Sequence, residues 1–152
     1  MPIELVYWVP VAIGAGGAVW DILHRRLPNL LCVAMAVAAA TALGLTMGIA
    51  ALPWALAHSV IALLVGMVLF RLGMIGGGDA KFYAAAALGL PLDQGLSMLG
   101  WTSVAGLVLL AAMFSARKVQ KIPTPKDGAG KWTVPYGVAI FFGYLLTVIN
   151  SN

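Results

Sequence analysis

Residues 74–83 read MIGGGDAKFY: three consecutive glycines and an aspartate between two strongly apolar segments. The apolar run that follows, 80–90, is eleven residues long. At 1.5 Å per residue it covers only about half of a ~30 Å hydrocarbon core. What such a short helix is for depends on what surrounds it.

The surroundings are membrane-like. The 152 residues are 62% hydrophobic and only 9% charged, against about 25% charged in soluble domains. Apolar runs fall at about 3–20, 29–48, 53–72, 80–90, 95–114 and 134–149, which predicts an all-α integral membrane protein. Six transmembrane helices are expected, the fourth short and preceded by a glycine-rich irregular segment, in a single polytopic domain over 1–152. The first run has no basic region before it and leads into Asp21 rather than a small-residue cleavage site, so it reads as a retained helix and not a signal peptide.

Gly48 to Pro53 and Pro91 to Gly95 mark tight connections, and neither contains Lys or Arg. All nine basic residues lie elsewhere: Arg25 and Arg26; Arg71 and Lys81; and Arg117, Lys118, Lys121, Lys126 and Lys131. These are the first, third and fifth connections, which a six-helix chain puts on one side. The positive-inside rule makes that side cytoplasmic and puts both termini outside. Residues 116–133 then form a basic cytoplasmic loop. The +4 net charge is accounted for by this asymmetry and by contact with anionic membrane lipids, without nucleic acid.

Of the five acids, Glu4 and Asp93 fall at the outer face and Asp127 among the lysines of the fifth loop. Asp21 and Asp79 remain, each at a cytoplasmic junction of an apolar run. Taken singly, Asp79 reads as a helix cap with Lys81 nearby, and Asp21 as an i,i+4 partner of Arg25. Taken as a pair they read differently, because an ionisable group near membrane depth is costly and is functional by default. Two carboxylates brought together share a proton. One can then take a proton from water while the other donates to a scissile carbonyl. The glycines suit such a site, since backbone without Cβ atoms can adopt positive φ and approach another chain closely. No metal is called for. The remaining candidates read as ordinary: His24 and His58 have no second ligand at metal spacing, and Cys32 is a small core residue. Trp8, Trp20, Trp54, Trp101 and Trp132 sit near helix ends as an interfacial belt. The small-residue runs at 14–18, 36–40 and 84–89 read as close-packing surfaces.

Gly76-Gly77-Gly78-Asp79 resembles the G-x-G-D motif of membrane aspartic peptidases, and Lys81 resembles the version in type IV prepilin peptidases. Asp21 with Arg25-Arg26-Leu27-Pro28-Asn29 is similar to that family's first-aspartate segment, and Pro135-Tyr136-Gly137 to the start of its last helix. The nearest type is the short enzyme of tight-adherence (Flp) pilus systems. The resemblance implies an aspartic endopeptidase of the bacterial inner membrane that cleaves a short basic leader from prepilin or pseudopilin precursors. It implies no cofactor, and pilus or type II secretion machinery as partners. Asp21 and Asp79 carry over as the catalytic pair and Gly76 and Gly78 as motif glycines. Lys81, Pro135, Tyr136 and Gly137 carry over as supporting residues. The cysteine-bearing cytosolic insertion that goes with methylation in larger relatives has no counterpart in the roughly eight-residue first loop. Two other functions are compatible with the same chain. A small proton-coupled transporter would use the acids as a relay, although it wants them near the bilayer midplane. A non-catalytic membrane protein of pilus or secretion assembly would tolerate losing both.

Overall fold

The structure, a computed structural model, describes residues 4–120 and 134–151. It contains helices α1 (Glu4–His24), α2 (Asn29–Met47), α3 (Leu52–Arg71), α4 (Gly77–Ala87), α5 (Gly95–Gln120) and α6 (Tyr136–Asn150). Short 3-10 turns at Ile49–Ala51 and Leu92–Gln94 precede α3 and α5, and no strand occurs among the described residues. Each expected apolar run is a helix, but among the described residues four segments reach spanning length and hydropathy: Val6–His24, Asn29–Met47, Ile49–Arg71 and Leu92–Ala116. α6 has 15 residues and α4 only 11. The fifth loop and Trp132 lie largely or wholly outside the described residues.

Helix ends follow hydrogen bonding rather than hydropathy. α1 runs past its apolar stretch to His24, which puts Asp21 inside its last turn. It stops where Arg25 takes a left-handed φ of 54° and Pro28 biases the residue before it away from helix. Pro28 is the N-cap of α2. α3 closes with a Schellman turn, in which the N–H of Met74 reaches the Leu69 carbonyl at 3.0 Å and that of Gly73 reaches Phe70 at 2.9 Å. Gly73, at φ 73°, is the left-handed residue this turn needs.

The glycine-rich segment therefore differs from expectation. Gly76 is extended at φ −76°, and Gly77 and Gly78 form the first turn of α4. None of the three has positive φ. Their value is closeness: a Cβ on Gly78 would lie 3.2 Å from the Leu27 carbonyl oxygen, and one on Gly76 only 2.6 Å from Asp79 Oδ2.

α4 is the centre of the bundle, packed against α2, α3 and α6, while α1 lies against α2 and α6, and α5 against α6. Helices in lipid associate through close packing, because the lipid tails are as apolar as the side chains. The small-residue runs supply it. Ala84, Ala85, Ala86 and Ala87 are buried, and Gly66 of α3 sits so near Ala80 that a Cβ there would be 2.8 Å from the alanine's own. Phe82, fully buried, presses on Gly17 of α1. Tyr144 of α6 packs on Gly89, just beyond α4. Trp8, Trp20 and Trp54 are exposed along the outside of α1 and α3.

Candidate active site

At the end of the bundle where α1 stops and α4 and α6 begin lies a cavity of about 830 Å³. Its lining comes from four pieces of chain: Asp21, Arg25, Arg26 and Leu27; Phe70; residues 73–79; and Val134 with Tyr136. The two acids singled out in the sequence, 58 positions apart in numbering, face this one space.

Asp21 is 4% exposed. A buried carboxylate needs donors, and its Oδ2 accepts the backbone N–H of Gly137 at 2.8 Å. Gly137 is in the first turn of α6, whose free N–H groups and positive dipole end favour an anion. Glycine suits the approach, since a Cβ there would be 3.0 Å from both Asp21 Cβ and Oδ2 and would force the carboxylate to give. Pro135 is the buried N-cap of α6 and Tyr136 lines the cavity. The Pro-Tyr-Gly element thus starts a helix against Asp21, a role that residue types alone did not specify.

Asp79 is the third residue of α4 and lies outside the spanning helices. It is partly buried, and its Oδ2 reaches back to accept the N–H of Gly76 at 3.1 Å. This is one half of a capping box, and Gly76 permits it by having no Cβ. Asp79 is therefore not the N-cap that the sequence suggested; Gly76 is. Burial first, and the Asp21 charge second, push the Asp79 carboxyl up from its ordinary 3.8 to about 6, against the lowering effect of the Gly76 bond. A group so placed holds or releases a proton near neutrality.

Leu27 joins the two acids' elements. It is buried, with its backbone laid across Gly78. Lys81 adds a second tie, but not to Asp79: its Nζ donates to Asn29 Oδ1 at 3.1 Å, linking the starts of α4 and α2. Asn29 stood in the quoted Leu-Pro-Asn string without an assigned role. Phe70, Met74 and Ile75, which give the cavity its apolar wall, carried no signal beyond ordinary hydrophobicity. His24 stacks on Trp20 at 4.3 Å on the outside of α1. Cys32 is buried with its Sγ 4.0 Å from the Gly78 carbonyl. Among the described residues, no three His, Cys, Asp or Glu side chains come together as a metal site.

Two carboxylates on one open, partly apolar cavity, each steadied by a backbone N–H and one able to carry a proton near neutral pH, are equipped for general acid and base work on a bound amide. A comparison of the chain with families of known proteins matches the type IV leader peptidase family over residues 8–111. That range includes both acids, the glycines and Lys81, and ends before α6. No curated protein and no solved structure matches the chain. With the match extending over most of its length, the chain belongs to the type IV leader peptidase family.

Proposed function

We propose that this leader peptidase is an aspartic endopeptidase of the bacterial inner membrane, which cuts the short basic leader from Flp-type prepilin-like precursors at the cytoplasmic face. The observation that carries the reading is the convergence of Asp21 and Asp79 on one cavity. In the proposed reaction, a water in the cavity loses a proton to ionised Asp21 as its oxygen attacks the scissile carbonyl carbon. Protonated Asp79 donates to the carbonyl oxygen, giving a neutral tetrahedral gem-diol. Asp21 then returns its proton to the amide nitrogen as the C–N bond breaks, and the Asp79 carboxylate recovers its proton from the collapsing diol. Gly137 holds Asp21 in place, and Gly76 holds Asp79. Basic residues confined to alternate connections favour a cytoplasmic site, with α4 a half-span and both termini outside.

The test is cleavage of a prepilin-like precursor, a basic leader joined to an apolar helix, by purified protein in lipid. Asp21→Asn and Asp79→Asn should each abolish release of the leader while leaving the amount of membrane protein unchanged. A chelator should have no effect, and the mature amine should stay unmethylated when S-adenosylmethionine is supplied, as read by intact mass. Full processing by either Asn variant refutes the assignment.

A further inference from the structure

α4 ends deep in the bundle, and its C-terminal carbonyls cannot be met by water. A helix leaves its last carbonyls without intrahelical partners, and at membrane depth these groups must be satisfied by protein. The chain itself meets two of them: the N–H groups of Gly89 and Leu90 turn back to the carbonyls of Ala86 and Ala87 at 3.0 and 3.1 Å. α3 adds two further bonds, one to α4 and one to the turn that follows it. Ser59 Oγ donates to the Ala84 carbonyl at 2.7 Å, and His58 Nδ1 lies 3.2 Å from the carbonyl of Leu90, the residue that closes the turn. A carbonyl only accepts, so Nδ1 carries the hydrogen.

His58 is unusual in this chain. Besides the phenol of Tyr144, the buried polar or charged side chains among the described residues are Asp21, His58 and Thr147. Thr147 bonds within its own helix, to Gly143. Asp21 is in the cavity. His58 alone of the other two reaches a different element. Its ring is also confined on the far side, because a Cβ on Gly95 would fall 3.0 Å from Nε2. Gly95 begins α5, so one imidazole bonds the turn that closes α4 and packs on the start of α5.

From this we infer that His58 is a positioning residue for the peptidase: by holding the inner end of α4 it sets the depth and rotation at which Asp79 meets Asp21. α4 is a rigid rod only eleven residues long, and Asp79 lies roughly 12 Å along the axis from its last residue. With Lys81 tied to Asn29 at the cavity end, His58 is the second of two anchors, and a slip at either end moves the carboxylate. An error of about 1 Å in a reacting group costs on the order of a hundredfold in rate.

The inference rests on the peptidase reading, and its experiment separates the two. His58→Phe keeps ring and bulk but loses the donor, whereas His58→Asn keeps a donor for the Leu90 carbonyl. Cleavage of the precursor is measured across pH in lipid, with thermal unfolding of each variant in parallel. His58→Phe should lower kcat roughly 10- to 100-fold with KM little changed, and should shift the alkaline limb of the rate profile, because Asp79 has moved relative to Asp21. His58→Asn should recover most of the rate and the original limb. A His58→Phe enzyme with full kcat overturns the inference. So does one that loses only thermal stability, with an unshifted pH profile per folded molecule, since the histidine is then a packing element. If wild type fails to cleave, or Asp21→Asn and Asp79→Asn still cleave, the peptidase reading itself falls.

Discussion

At Gly137 a hydrogen atom stands where any other residue would put carbon, and the Asp21 carboxylate uses that space. Gly137→Ala puts a methyl 3.0 Å from Asp21 Cβ and Oδ2, so the carboxylate must shift and its 2.8 Å bond must lengthen. Leader cleavage should fall roughly 10- to 100-fold. Gly106→Ala, whose added carbon meets Ala139 Cβ at an ordinary 3.8 Å, should change nothing in the same assay. Asp79 gives a prediction about pH. Its carboxyl is raised by burial and by Asp21 to about 6, so the folded protein holds this proton more tightly than the unfolded chain. The resulting stability is fully present below the ordinary value near 3.8 and is lost as pH rises through about 6. Asp79→Asn, which copies the protonated form, should therefore be more stable than wild type at pH 8, by at most about 3 kcal/mol, with the difference nearly gone at pH 4. Thermal unfolding at both pH values checks it. Both aspartates were legible in the sequence because acids are scarce in so apolar a chain. What held them was not, since a backbone N–H from Gly137 looks the same in sequence as any other.

The six helices could be read from their apolar runs, whereas their ends could not. Hydropathy stops at Trp20 and near Phe114, but backbone hydrogen bonds carry α1 to His24 and α5 to Gln120. A left-handed glycine is hard to place for a related reason: nothing in residue type separates the triplet at 76–78 from Gly73, three residues earlier, which takes the positive φ of the Schellman turn. Gly73→Ala meets no neighbour yet must keep φ at 73°, so it should destabilise the protein by about 1 kcal/mol. Gly100→Ala, also in open space but inside α5, should be neutral or slightly stabilising. Gly66→Val attacks the same element pair from inside. With Ala80 Cβ only 2.8 Å from the first added carbon, α3 and α4 must part next to Asp79. A loss of about 1–3 kcal/mol and most of the cleavage activity is expected, read by unfolding and by leader release.

For the molecule as a whole, the distribution of Lys and Arg makes a claim about sidedness that impermeant labelling can check. In a Cys32→Ala background, single cysteines replacing Ala51 and Leu72, both in connections between helices, should react from opposite sides of the membrane, with position 72 cytoplasmic. Reaction of 72 from outside would put the acids on the wrong face for a cytoplasmic leader. The bond between Asp21 and Gly137 joins residues 116 apart, the first helix to the last. Synthesis runs from the N-terminus, so both acids are made before α6, and until then Asp21 has no N–H from Gly137. A chain halted at residue 133 lacks the Gly137 N–H that Asp21 accepts, so it should insert with both aspartates present yet release no leader in the cleavage assay.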